Sequence, residues 1–245
     1  FNDTALIEAS RKGHDEIARI LIESRRADLN IKNDYGETAL IVAARHGRYN
    51  IAGFLIEGGA NLDFQDDDDN TALIEAVNYR NDNIARILIK NRALLDFQGD
   101  YGNTALMLAA RDNNYNIARI LIGNYANLDL ENNDGETALT LATENANYAI
   151  SRILIENGAD LDFKDPRGYT VLMKVARRGH VNFTRFLIER GADLDIQNDY
   201  GNTALMLAAR LDRGNIVRIL IEAGADLNIK NDNSRTAFDI ASTEP

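Results

Sequence analysis

One short phrase returns along the whole chain at nearly constant spacing, and this period constrains the fold more than any other feature. The phrase runs Asp34-Tyr35-Gly36-Glu37-Thr38-Ala39-Leu40, with close copies at 100–106 and 199–205. Weaker copies fill the intervals, and each copy carries one threonine: Thr4, Thr38, Thr71, Thr104, Thr137, Thr170, Thr203 and Thr236. The first spacing is 34 residues and the other six are 33 residues, a regularity typical of solenoids built from stacked repeats.

A single repeat, taken from 33 to 65, has the pattern of two short helices joined by a turn. Asp34-Tyr35-Gly36 has turn chemistry, and Thr38 is predicted to cap the first helix. A second helix is expected from about Asn50 to the glycine pair at 58–59. Isolated helices this short are marginal in water, so each must stack on its neighbours. The sequence therefore predicts an all-α repeat solenoid of helix-turn-helix repeats with hairpin-like loops.

Composition excludes several classes of function. The chain is 45% hydrophobic and 27% charged, which suits a folded protein, and no apolar run approaches the ~18 residues of a membrane span. Cysteine is absent, so neither disulfides nor cysteine-ligated zinc are expected. The net charge of −11 argues against nucleic acid as a partner, because phosphate neutralisation drives that binding.

Three stretches carry a resemblance to a known family. They are the opening at 198–206, the middle Val175-Ala176-Arg177-Arg178-Gly179-His180, and the close Gly224-Ala225-Asp226-Leu227-Asn228. Together they resemble the ankyrin repeat, and the resemblance extends over essentially the whole chain. The family's proline after threonine is Ala or Val in all eight repeats, and its usual histidine is replaced at these positions: Ile7, Ile41, Ile74, Met107, Thr140, Met173, Met206 and Asp239.

The resemblance implies one domain, 1–245, made of eight repeats of which the first and last are incomplete. Their expected bounds are about 1–32, 33–65, 66–98, 99–131, 132–164, 165–197, 198–230 and 231–245. The glycine that should end the second helix is Arg92 in the third repeat and Tyr125 in the fourth, so those loops are expected to differ locally. Asp239, Ser242 and Glu244 are expected to give the last repeat a polar outer face.

No catalytic constellation is visible, so neither enzyme activity nor a cofactor is expected. The three histidines, His14, His46 and His180, are far apart in sequence. Asp66, Asp68 and Asn70 match positions 1, 3 and 5 of a calcium loop, but the pattern then fails, and no metal is predicted. The cluster is interpreted as an acidic solvated loop, with a weak cation site or a contact for a basic partner as the alternative.

The family binds proteins through its loop tips and the exposed edge of its first helices. Mapping those positions gives these candidate partner-binding residues: Tyr35, Arg45, His46, Tyr79, Tyr101, Arg111, Arg177, Arg178, Tyr200 and Arg210. Tyrosine and arginine are favoured contact residues. The equivalent position at the end of the first helix is arginine in five repeats, and this arginine column predicts an acidic partner segment: Arg11, Arg45, Arg111, Arg177 and Arg210. The alternative is that duplicated arginines merely complement the dipoles of their helices.

The predicted function is a scaffold for protein–protein interaction, monomeric and without membrane contact. The expected location is cytoplasmic, or secreted into a host cell, because similar arrays are common in intracellular bacteria. One alternative is a targeting module of a larger enzyme, since the chain opens on Phe1 rather than on methionine, or a secreted host-directed bacterial effector. Another is an anionic ligand or nucleic acid bound through the arginine column.

Overall fold

The structure, a computed structural model, describes residues 2–243; Phe1, Glu244 and Pro245, at the expected limits of the first and last repeats, lie outside them. Within that range the chain forms fifteen α-helices and one 3-10 turn, Asp100–Gly102, with no strand. The first helices of the repeats are α1 (Ala5–Lys12), α3 (Ala39–Arg45), α5 (Ala72–Asn78), α7 (Ala105–Arg111), α9 (Ala138–Glu144), α11 (Val171–Arg178), α13 (Ala204–Arg210) and α15 (Ala237–Thr243). The second helices are α2 (Asp15–Glu23), α4 (Tyr49–Glu57), α6 (Asp82–Lys90), α8 (Tyr115–Gly123), α10 (Tyr148–Glu156), α12 (Val181–Glu189) and α14 (Gly214–Glu222). This confirms the predicted all-α repeat architecture.

The chain divides into two compact units, Phe1–Asn133 and Asp134–Pro245. In the first, each first helix packs on the next along α1, α3, α5 and α7, and the second helices form a parallel row from α2 to α8. In the second, α9, α11, α13 and α15 pack in the same order. The expectation of a single domain stays a prediction.

The threonine of every repeat caps the helix that follows it, as predicted. In α3 the hydroxyl of Thr38 accepts a hydrogen bond from the amide of Ile41 at 3.3 Å, and the other seven threonines do the same in their own repeats. Behind the cap the leucine of each Thr-Ala-Leu is buried, as Leu40 is with 1% exposure. The repeated phrase therefore both starts the helix and supplies its core residue.

The residues that stand in place of the family's histidine are mostly packed in the core. Ile41 and Met107 are each 1% exposed, so these side chains fill the core between helices. Thr140 and Asp239 instead bond back to the amide of their capping threonine, Thr137 or Thr236. Packing has replaced polar contact in most repeats, as the sequence predicted.

One Asn or Asp side chain holds the turn ahead of α3, α5, α11, α13 and α15, whereas the turn ahead of α7 has Gly99 at that position. In the seventh repeat Oδ1 of Asn198 accepts the amides of Tyr200 and Asn202, both at 3.0 Å. Gly201 has φ +70, and a Cβ there would stand 2.6 Å from the carboxylate of Asp232 in the next turn. The turns therefore nest closely, and their tips point residues such as Tyr200 outward on a rigid base.

The loops after α6 and α8 were expected to differ from the others, but their backbone has the same conformation. Arg92 (φ 67) and Tyr125 (φ 65) take the same left-handed conformation as Gly59 (φ 85) and Gly158 (φ 95) at the equivalent point. The stacking of the repeats therefore imposes the turn even where the side chain disfavours it.

The last repeat has only a partly polar outer face. Asp239 and Ser242 are exposed as predicted, whereas Phe238 beside them is 78% exposed, and Glu244 lies outside the described residues.

Candidate partner-binding surface

The tyrosines at the turn tips present their rings to solvent. Tyr35 is 51% exposed, Tyr101 69% and Tyr200 59%. Their backbones are fixed by the nested turns, since the carbonyl of Tyr35 accepts the amide of Asp67 at 3.1 Å and that of Tyr101 accepts the amide of Asn133 at 2.9 Å. Tyr79, which follows α5, is 54% exposed. These are large side chains held on rigid backbone, the arrangement that favours recognition of another protein.

Arg45 has a different role from its exposed neighbours, because it lies in a cluster of buried carboxylates. Its Nη1 donates to Glu37 Oε1, its Nε to Glu75 Oε2 at 2.7 Å, and its Nη2 to Asp66 Oδ2 at 3.1 Å. The side chains of the three acids are only 2–4% exposed, while that of Arg45 is 24% exposed. The pKa of Arg45 is raised, because these hydrogen bonds and charges outweigh the opposing effect of burial. Its donors are therefore occupied within the fold.

Arg11, the equivalent residue in the first repeat, also forms ion pairs within the fold. Its Nη2 lies 3.1 Å from Asp3 Oδ2 and 3.4 Å from Glu37 Oε2. In the first unit the column thus neutralises carboxylates of the protein itself. The predicted basic stripe carries much less net positive charge here than the sequence indicates.

The pKa of His46, next to Arg45, is affected by the arginines around it. It lies at the surface, yet its pKa is lowered, first by partial desolvation of the ring and then by the positive charges of Arg11, Arg48 and Arg45. Neutral His46 therefore offers a neutral donor and acceptor to a partner at physiological pH.

The two other arginines of the predicted set in α7 and α13 are more open. Arg111 pairs with its neighbour Asp112, its Nε 2.8 Å from Oδ1, and both side chains are at least 30% exposed. Arg210 is exposed, and no ion pair involves it in the part of the chain that the structure describes. Of these two, Arg210 is therefore the more available for contact with a partner.

Arg177 and Arg178, at the end of α11, belong to a basic cleft of the second unit. The guanidinium of Arg177 lies 5.7 Å from the centre of the Tyr169 ring, and Nη1 of Arg178 donates to the carbonyl of Thr143 at 2.9 Å. Lys174, one turn earlier, is 8% exposed. Both predicted arginines are exposed at the surface.

Sequence reasoning missed the charged residues that lie inside the first-helix face. Glu75 and Lys174 occupy a column where most other repeats have apolar residues: Val42, Leu108, Leu141, Leu207 and Ile240. The first repeat has Glu8 at the same position, where it pairs with Lys12. Glu75 and Lys174, in interior repeats of a mostly apolar column, were a readable sign of buried ion pairs. Arg167 and Tyr169 were not identified as a pair of cleft residues, because their proximity to α11 depends on the turn before it.

The acidic loop at 66–70 forms a turn that is held by Asp66. Asp66 Oδ1 accepts the amides of Asp68 and Asn70, at 3.1 and 2.9 Å, and its other oxygen pairs with Arg45. Within residues 2–243 no group of three or more acidic or histidine side chains is arranged to hold a metal ion. Asp67, Asp68 and Asp69 are exposed. In the same range no helix is long and apolar enough to cross a bilayer.

Comparison with known families agrees with this geometry. A family model described as ankyrin repeats (three copies) matches residues 1–66, 54–132, 73–165 and 153–231. The chain therefore belongs to the ankyrin-repeat family, whose members are generally protein–protein interaction modules and typically non-catalytic. No curated protein matches the chain in sequence.

Proposed function

We propose that this chain is a non-catalytic module that recognises another protein through its turn tips and the ends of its first helices. The observation that carries the proposal is the exposure of Tyr35, Tyr101 and Tyr200 on turns whose backbones are locked to the next repeat. Ordering a loop or a long side chain costs binding energy, and a rigid tip avoids that cost. Tyrosine adds apolar area and a hydroxyl at little conformational cost.

The arginine column contributes to this surface unequally. Arg45 and Arg11 are engaged with carboxylates of the fold, so replacing them tests stability before it tests binding. Arg210 and Arg177 are open to solvent and are the arginines we assign to partner contact. The partner is therefore selected by tyrosine contacts in the first unit and by tyrosine with positive charge in the second.

The test is capture of a partner from a cell lysate, with identification by mass spectrometry. The variant carries Tyr35→Ser, Tyr101→Ser and Tyr200→Ser, which remove exposed rings and leave every turn hydrogen bond to backbone in place. The matched control is Tyr125→Ser, because Tyr125 is 93% exposed but follows a second helix rather than occupying a tip. We expect a protein captured by wild type and control to be lost with the tip variant. A partner retained by all three would contradict the assigned surface, and capture of no partner would contradict the function.

A further inference from the structure

A cleft in the second unit is lined by more cationic than acidic side chains. It has a volume of about 140 Å³ and is lined by Arg167, Lys174, Arg177 and Arg178 together with the carboxylates of Glu144 and Asp165. Four cations thus face two anions in a protein whose net charge is −11. Tyr169 and Tyr200 complete the wall.

The two carboxylates are already occupied by the deepest cation. Lys174 Nζ lies 2.5 Å from Glu144 Oε1 and 2.9 Å from Asp165 Oδ2. The second oxygen of Asp165 accepts the amides of Arg167 and Tyr169, at 2.9 and 2.8 Å. Burial alone would raise the pKa of Asp165, but Lys174 and these amides outweigh it and lower the pKa. Asp165 is therefore a charged, fully used part of the turn.

The three arginines keep most of their donors. Arg178 uses one N–H on the Thr143 carbonyl, and Arg177 lies over a ring face that accepts no strong hydrogen bond. Arg167 is exposed at the turn tip. Among the described residues none of the three forms an ion pair. Asp199, whose carboxylate packs against Gly168, does not line the cleft.

We propose that this cleft binds a phosphorylated side chain of the partner protein. The inference rests on the proposed recognition function and adds the chemistry that one part of the partner must carry. A phosphate group bears a charge of about −1.5 to −2 and three acceptor oxygens, which matches the excess of cations and the forked donors of several arginines. A single carboxylate would leave part of that charge unbalanced. The exposed ring of Tyr200 in the cleft wall is placed to contact the chain that carries the phosphate.

Binding of a small phosphate ester measures the cleft without knowledge of the partner. The full chain is titrated with phenyl phosphate, and separately with phenylacetate, which has the same ring and one carboxylate. The readout is the NMR signal of each arginine Nε–H. We expect saturable shifts at Arg167 and Arg177 with phenyl phosphate, and binding of phenylacetate weaker by about tenfold.

A charge-matched pair of variants separates the cleft from general attraction. Arg167→Gln with Arg177→Gln should weaken phenyl phosphate binding by at least about tenfold, whereas Arg185→Gln with Arg218→Gln, on exposed second-helix positions, should leave it unchanged. Equal effects of the two pairs, equal affinity for the two probes, or no saturable shift would each overturn the proposal.

The lysate experiment distinguishes this proposal from the recognition function itself. Treating the lysate with phosphatase should abolish capture by the wild type if the cleft reads a phosphate on the partner. Capture that survives both phosphatase and the Arg167→Gln, Arg177→Gln variant refutes the phosphate site while leaving protein recognition intact. Capture of nothing refutes recognition, and the titration then decides the cleft alone.

Discussion

Replacing Arg45 by methionine should destabilise the protein far more than its position on a partially exposed helix end suggests. Arg45→Met keeps the length of the stem and removes the only cation within 4 Å of Glu75 and Asp66 among the described ion pairs. Glu37 retains Arg11 and the amide of Asn33, but Glu75 loses its charged partner while remaining 3% exposed. A buried carboxylate without a partner is one of the more costly defects in a fold.

The magnitude follows from what is left behind. Breaking a buried ion pair by removing one partner costs about 3–5 kcal/mol. Asp66 keeps two amide donors, and water reaches the space that Arg45 vacates, so we expect a loss of about 3 kcal/mol in the free energy of unfolding. Arg111→Met is the matched control, because Arg111 occupies the same column but pairs with Asp112 near the surface, where an ion pair contributes about 0–1 kcal/mol.

Urea unfolding followed by circular dichroism measures both losses at neutral pH. Adding Glu75→Gln to Arg45→Met should restore part of the stability, because it removes the stranded charge and keeps a similar side-chain volume. If Arg45→Met loses less than about 1 kcal/mol, or no more than Arg111→Met does, the carboxylate cluster is not the stabilising element described above.

Three further predictions concern single positions. Burial is the largest influence on the pKa of Asp66 and raises it, so the ionised carboxylate of Asp66 opposes folding above that pKa. Asp66→Asn, which keeps the turn acceptor, should therefore be at least as stable as wild type at neutral pH. In urea titrations this advantage should vanish as the pH falls through the raised pKa. The pKa of Asp165 is lowered, so its stabilisation is present above the unfolded-state pKa and is lost as the pH falls through the folded-state pKa. Asp165→Asn should lower the free energy of unfolding by about 1–2 kcal/mol at neutral pH and by nothing measurable in strong acid. A loss that does not change with pH would contradict the pairing with Lys174. Tyr125→Gly should raise the free energy of unfolding by about 0.5–1 kcal/mol, because glycine relieves a left-handed φ at a side chain that is 93% exposed, whereas Tyr125→Ala should change little.

The fold was readable because each repeat carries its own local instructions. Thr38 and its seven counterparts cap the helices they precede, and the leucine two residues later enters the core in the first seven repeats, whereas the eighth has the exposed Phe238. Such signals act within a few residues, and repetition confirms each one several times over. The loops at Arg92 and Tyr125 were misjudged for the opposite reason, because packing of the neighbouring repeats overrides the local preference of the side chain.

The site was only partly readable, because its electrostatics depend on residues that do not repeat. Arg45 and Arg210 look equivalent in sequence, yet Glu75 lies 30 residues beyond Arg45 and pairs with it, and no ion pair involves Arg210 within residues 2–243. The position of each arginine within its repeat correctly predicted that it lies at the end of a first helix. Its neighbours, which come from a different repeat, decide whether it is structural or available.

Exposure of the tyrosine tips was predicted more directly. Tyr35 and Tyr200 lie between an Asx turn and a glycine with positive φ, and both are exposed. Tyr101 is exposed as well, although its turn has Gly99 in place of the Asx residue and its own φ is 56°. What they contact depends on a second molecule, so the sequence predicts the exposure of these tyrosines but not the partner.

The central claim is that the turn tips recognise a partner protein, and calorimetric titration of the captured partner tests it most directly. Wild type and Tyr125→Ser should bind with equal affinity. The Tyr35→Ser, Tyr101→Ser, Tyr200→Ser variant should bind at least about a hundredfold more weakly, since three hot-spot tyrosines each contribute more than about 1 kcal/mol. Equal affinity of the tip variant and wild type would show that the partner binds elsewhere on the protein.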